Sequence, residues 1–322
     1  MIAYGATLDV PVATLTTLTE WLRRHRRQHD ARPEQRAATP RSQALMVLRW
    51  MREGTDMKIL ARDARVSLAT AYRYVHEAVD VIAQRAPDLH EVLERAREQS
   101  WTHLCLDGTL IPTTRCTAKG ESGHDLWYSG KHKQHGANVQ VLTDPTGYPV
   151  WVSPAEPGSV HDITAARRHV LPALYPTAAA GVKTLTDKGY TGAGIGIMVP
   201  AKGHGLCPDT LTRNQLISAL RAPAERANAL LKGTWRALRR ISLDPSRITN
   251  IAAAALVLLH LQRGSRWECL SFGVSGPCHG QYCSAVGQRP SKVVAKTLRA
   301  GFHRVVQRVA PFPVGSRLRV TR

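Results

Sequence analysis

The hydrophobic spacing of this chain changes once, at Trp101, and that change constrains the fold more than any other feature. Ahead of it, Leu45, Val47, Leu48 and Trp50 recur near helical spacing before a Gly54 stop. After it, apolar residues fall in short alternating runs separated by glycine- and proline-bearing turns. The pattern predicts an all-helical region over residues 1–100, an α/β region with a mixed sheet over 101–265, and a basic tail over 266–322. A chain of 322 residues has room for two such domains at ~150 residues each.

Within the helical region, a short helix over 57–63, with Ile59, Leu60 and Ala61 inward, leads through Arg65-Val66-Ser67 into a longer helix opening at Leu68. Ser67 is placed to cap that second helix by accepting a first-turn N–H. Short helix, tight turn, longer helix is the helix-turn-helix pattern, whose second helix enters the DNA major groove. With Ala71, Tyr74 and Val75 toward the core, Ala69, Thr70, Tyr72, Arg73 and His76 face outward, so Thr70 and Arg73 are the candidate DNA contacts. The run Arg23-Arg24-His25-Arg26-Arg27 agrees with a nucleic-acid partner.

Charge says the same. Lys and Arg number 44 against 24 Asp and Glu, a net charge of +20 that draws the protein to polyanions. A membrane is the other polyanionic surface, but the longest apolar run, 251–261, is short of the ~20 residues a span needs. No basic segment precedes an apolar stretch at the N-terminus, so no signal peptide is read, and a cytoplasmic protein, nucleoid-associated when bound to DNA, is expected. Cys105, Cys116, Cys207, Cys269, Cys278 and Cys283 are dispersed, which predicts free thiols. The Cys278-His279-Cys283 grouping, with Cys269 upstream, matches no zinc spacing.

In the α/β region a strand over 102–106 runs into Asp107-Gly108, and strands 137–143 and 148–153 form a hairpin about Asp144-Pro145-Thr146-Gly147. A helix over 160–174, strands 182–186 and 195–199, and helices 211–240 and 249–262 follow. Asp107 and Asp187 each close a strand, and Glu225 lies on a later helix. Carboxylates at the ends of adjacent strands converge at one sheet edge, and a helix packed there adds a third. Such a cluster repels itself unless hard cations such as Mg²⁺ neutralise it, and two such ions support phosphoryl transfer.

These carboxylates lie in ordered motifs: Leu106-Asp107-Gly108-Thr109, Ser129-Gly130-Lys131-x3-His135-Gly136, Pro157-Gly158-Ser159-Val160-His161-Asp162, Asp187-Lys188-Gly189-Tyr190-Thr191-Gly192 and Arg221-x3-Glu225-x6-Lys232. Over residues 43–263 the set resembles bacterial insertion-sequence transposases of the DDE superfamily, in the branch related to Harbinger elements. The resemblance implies a ribonuclease H-like catalytic domain behind the helix-turn-helix, with Asp107, Asp187 and Glu225 as a triad holding two Mg²⁺ or Mn²⁺ ions. It implies cleavage of double-stranded DNA at element ends, attack of the freed 3′-hydroxyl on target DNA, and a homodimer or larger assembly that pairs the ends. Arg221 and Lys232 match residues expected on phosphates. Lys131 and Lys133, with His132 and His135 beside them, are placed to lean on DNA.

Asp162 is an auxiliary or alternative ligand. Its position near a helix start suits capping, whereas Asp187 follows a strand expected beside that of Asp107. The chain departs from the family at Ser218, where a tyrosine is common, and at Pro223, which either lies within one helix or separates Arg221 from a new helix beginning near Glu225. An active transposase, a decayed copy or regulator that keeps only DNA binding, and a host-adapted nuclease all remain open at this point. From Cys269 to Arg322 there are nine Lys or Arg and no acidic residue, so the tail is read as a DNA-binding addition, a disordered segment or read-through, with a helix possible over 290–309.

Overall fold

The computed structural model describes residues 7–264 apart from 31, 117, 122 and 263. The basic tail, with Cys269, Cys278, His279 and Cys283 and the helix expected over 290–309, lies outside the described residues. Among the described residues five α-helices precede the first strand: α1 (Val12–Gln28), α2 (Pro40–Glu53), α3 (Met57–Asp63), α4 (Leu68–Ala83) and α5 (Leu89–Glu98). Local chemistry starts and stops them. Thr39 accepts the Ser42 N–H at 3.1 Å ahead of α2, and Gly54 ends that helix at φ 70°. Asp56, Ser67 and Asp88 cap α3, α4 and α5 in the same way.

Between α3 and α4, Arg65 takes φ 55° and the Val66 N–H reaches the Ala61 carbonyl at 3.0 Å, closing the first helix into the turn. The two helices are those the spacing predicts, but two side chains are not where it puts them. Ile59 is exposed, because so short a helix turns only Met57, Leu60 and Ala61 inward. Thr70 is buried rather than outward. The Ser67 cap draws it in: Ser67 Oγ accepts the Thr70 N–H and donates to Thr70 Oγ1 at 2.9 Å, and Arg73 adds a bond to that oxygen at 3.1 Å. Arg73 itself stays exposed. The basic run of α1 is also divided, since Arg26 is buried and donates to the Ala38 carbonyl and Gln43 Oε1, while Arg23 and Arg27 pair with Glu20.

The sheet begins with β1 (His103–Pro112), β2 (Tyr128–Ser129), β3 (Gln134–Thr143), β4 (Pro149–Val152) and β5 (Glu156–Pro157). Helices α6 (Asp162–His169) and α7 (Leu171–Ala179) lead to β6 (Lys183–Leu185) and β7 (Ile197–Met198). The single helix expected over 160–174 breaks at Val170, where Pro172 has no N–H to carry the first helix onward. β3 pairs antiparallel with β1, β2, β4 and β5, whereas β6 lies parallel to β1 and β7 parallel to β6. The order is β2-β3-β1-β6-β7. β1 outlasts its expected end because its β3 partner continues to the Pro112–Gly136 pair, so Asp107 sits mid-strand.

Residues of period two divide the sheet into two faces. Leu104, Leu106 and Leu142 pack with residues of α5, α6 and α7. On the opposite face, Ile111, Val139, Val141 and Val152 meet α8 (Pro208–Thr234), α9 (Ile248–Gln262) and the N-terminal helices. α9 contains the long apolar run and is buried along most of its length between α4 and the sheet. Asp80 of α4 accepts bonds from Arg247 and Asn250, both at 2.6 Å, at the start of that helix. One apolar cluster therefore runs from Leu18 and Trp50 through Trp235 to α9 and the strands, across the position where the sequence predicts a domain boundary. No described helix is long and apolar enough to cross a membrane.

The hairpin turn after β3 is held by Asp144, whose side chain accepts the Thr146 and Tyr148 N–H groups at 2.8 and 2.9 Å. Gly147 there has φ 82°, and a Cβ on it would strike the Pro223 carbonyl of α8. Gly181, at φ 103°, has nothing within 4 Å. Gly147→Ala should therefore lower the urea midpoint more than Gly181→Ala, the backbone strain alone costing about 1–3 kcal/mol in each. Equal losses in the two variants would show that the hairpin does not press on α8.

Candidate active site

Three aspartates gather around the middle of β1. Asp107 is half-buried, and its Oδ2 accepts from Asn228 Nδ2 at 3.0 Å. The parallel register pairs His103 with Lys183 and Cys105 with Leu185. Two residues beyond the last pair, and past the end of β6, come Asp107 and Asp187, whose charges act on each other. Asp187 Oδ1 accepts the Gly189 N–H at 2.8 Å and caps a 3-10 turn over Lys188–Tyr190. Asp162 is the first residue of α6, but it does not cap that helix. Its carboxylate is taken by Asn138 Nδ2 at 2.7 Å and Lys131 Nζ at 2.8 Å. It comes close to the strand because Gly108 has no side chain, and a Cβ there would collide with the Asp162 carboxylate.

Burial pushes the Asp107 pKa up from its ordinary value. Arg221 pulls it down, Asp187 and Asp162 push it up further, and Lys131 opposes them. Lys131 is itself raised, chiefly by its bond to Asp162, with Asp187 and Asp107 adding to the effect. The three aspartates and Lys131 thus form one electrostatic group. Cys105, two residues before Asp107, is buried, and burial pushes its thiol up to about 12, so it remains a protonated packing residue.

α8 covers this group as one helix that continues through Pro223. Arg221, Glu225, Asn228 and Lys232 are spaced i, i+4, i+7 and i+11, which is a single stripe. Pro223 supplies no N–H to the Ala219 carbonyl, and burial of Ile217, Ala224, Ala227 and Leu231 holds the helix together across that gap. Arg221 is half-buried near Asp107. Lys232 Nζ donates to Thr109 Oγ1 and to the Leu110 carbonyl, both at 2.7 Å, and burial lowers its pKa against the pull of Asp107. Glu225 is exposed on the edge of the stripe. Lys133 is exposed in the turn before β3, at φ 55°, and His132 is exposed beside it.

The region from Leu106 onward, residues 106–260, matches the family described as DDE superfamily endonuclease. This region is DDE-superfamily, transposase-like. Neither a curated protein nor a solved structure matched the chain.

Among the described residues, no three His, Cys, Asp or Glu side chains converge closely enough to hold a metal ion. The donor chemistry beside Asp107 nevertheless suits a hard divalent cation. Asp107 and Asp187 each have a carboxylate oxygen with no bond in the described structure, and Asn228 Oδ1 is buried without a partner. Sequence reasoning missed Asn138, Gln140 and Asn228. The first two alternate with Val139 and Val141 on a strand covered on both faces, and that was the available signal of buried polar partners.

The raised Asp107 pKa has a consequence for stability. An acid whose folded pKa lies above its unfolded value destabilises the fold as pH rises from about 4 through the folded value, and the penalty is full above it. Asp107→Asn keeps an oxygen for Asn228 and removes the charge. In the absence of divalent cations the variant should melt above the wild type at pH 7, by roughly 2–4 °C per kcal/mol of relief, and the difference should vanish at pH values below about 4. Differential scanning calorimetry across that range checks it, and a variant that melts lower at pH 7 would contradict it.

Proposed function

We propose that this protein is a transposase that binds the ends of a DNA element and catalyses metal-dependent strand cleavage and strand transfer. The observation that supports the reading is Asp107 on β1 and Asp187 two residues past the end of the parallel β6, within electrostatic reach of each other and of Arg221 on α8. The strand order, three antiparallel strands continued by two parallel ones, supports a ribonuclease H-like catalytic domain. Asp107 and Asp187, with Glu225 as the third member of the triad, would hold two Mg²⁺ or Mn²⁺ ions, which when bound would activate the attacking oxygen and stabilise the leaving one.

The remaining roles belong to the chain's own cations. Arg221, beside Asp107, offers a guanidinium fork to a phosphate. Lys232 spends two N–H groups on β1 and keeps a third for the DNA backbone. Lys131 and Lys133 extend that surface along the turn before β3. The α3–α4 unit within the helical region 1–100 supplies sequence recognition through exposed Arg73, with Thr70 shaping that face from beneath. Pairing of two element ends calls for a homodimer or larger assembly on DNA, in the cytoplasm and associated with the nucleoid.

The test is nicking of DNA that carries the element ends, with and without Mg²⁺. Wild type should nick only with the metal, and Mg²⁺ should raise its melting temperature. Asp187→Asn should fall to the no-metal background while still binding DNA, and Asp162→Asn should retain reduced activity. Robust cleavage by Asp187→Asn would remove Asp187 from the triad. DNA binding with no nicking by wild type would favour a regulator, and nicking without strand transfer would favour a nuclease.

A further inference from the structure

Tyr190 lies three residues after Asp187, but its side chain turns inward and is fully buried. Its hydroxyl meets Gln140 Oε1 at 2.6 Å, Gln140 Nε2 meets Asn138 Oδ1 at 3.0 Å, and Asn138 Nδ2 meets Asp162 Oδ1 at 2.7 Å. Asn138 Nδ2 also reaches the Val160 carbonyl at 3.0 Å, and Lys131 takes the other Asp162 oxygen. Gln140 is fully buried and Asn138 nearly so. A buried polar chain of this kind costs free energy unless its members are paired, and every link here is made.

The chain has a direction. Asp162 accepts from Lys131 at one oxygen and from Asn138 at the other, so Asn138 turns its NH₂ toward the carboxylate and its oxygen away. Gln140 must then offer its own NH₂ to that oxygen, which leaves Oε1 to accept from Tyr190. The phenol must donate. Burial, followed by the charges of Asp162, Asp107 and Asp187, raises the tyrosine pKa well above its ordinary value, so the proton stays in place. Gly108 provides the space, because a Cβ there would strike the Asp162 carboxylate and approach Gln140 Nε2 at 3.1 Å.

We infer that Tyr190 is a positioning residue which, through Gln140 and Asn138, fixes the Asp162 carboxylate so that it holds the Lys131 ammonium beside Asp107 and Asp187. Asp162 is then the anchor of a side-chain cation, with both oxygens occupied. The effect on rate rests on the proposed DNA cleavage, whereas the hydrogen-bond chain stands without it.

Two variants of the full chain test the relay. Tyr190→Phe removes only the hydroxyl. Gln140→Glu keeps the shape, but once ionised it accepts at both oxygens and cannot donate to Asn138; protonated, it can. Hydrogen exchange of the Asn138 side-chain amide is followed by NMR without metal or DNA. Single-turnover nicking at saturating DNA is followed against pH, and DNA affinity is measured alongside. Tyr190→Phe should expose the Asn138 amide to exchange and slow nicking about 10- to 100-fold, with affinity kept within about twofold. Gln140→Glu should nick faster toward acid pH relative to wild type.

A Tyr190→Phe protein with a protected Asn138 amide and the wild-type rate would overturn the inference, as would a Gln140→Glu protein with the wild-type pH profile. If Tyr190→Phe does not fold, Gln140→Glu decides. If wild type does not nick DNA, the proposed function fails, and the exchange measurement still decides whether Tyr190 orients Asn138.

Discussion

The parallel pairing of β1 with β6 is the constraint on which the site depends. A strand shows alternate residues to alternate faces, and a fixed register fixes which of them stand level. With His103 paired to Lys183 and Cys105 to Leu185, the two chains run on side by side toward Asp107 and Asp187. Two carboxylates in one half-buried place repel each other, and the groups around them answer that repulsion. Arg221 approaches from α8, Lys131 from the turn before β3, and Asn228 donates to Asp107 directly.

The Asp107-Gly108 dipeptide serves both faces of the sheet. Asp107 points toward α8, and Gly108, by presenting nothing, admits Asp162 and the amides of β3 from the opposite side. The same alternation places Gln140 opposite Gly108 and Val141 opposite Asp107. A single strand thus separates Asp107 and its α8 partner from the amides that hold the Asp162–Lys131 pair.

The α3–α4 pair was legible because its signals are local: a capping serine, an apolar stripe and a turn between two short runs. The adjacency of β1 and β6, the strand that precedes Asp187, was legible from chain order and apolar runs. The length of β1 was not, since its extension depends on β3 as a partner far along the chain. Pro223 left the helix ambiguous for a similar reason, because burial of Ala224, Ala227 and Leu231 outweighs the missing bond only in the folded context. Thr70 was misplaced because helical periodicity counts faces and does not see a hydroxyl drawn back onto its own cap. Asn138 and Gln140 look like ordinary polar positions of an alternating strand until both faces of that strand are covered.

The apolar cluster that joins α4 to α9 gives the molecule a mechanical character. α9 touches α4 on one side and β4 of the sheet on the other, and Asp80 clamps the junction through Arg247 and Asn250. Two elements joined by a flexible tether would sample a range of separations. Here the offset between α4 and β1 is a fixed length of the body, like the distance between the jaws of a set gauge.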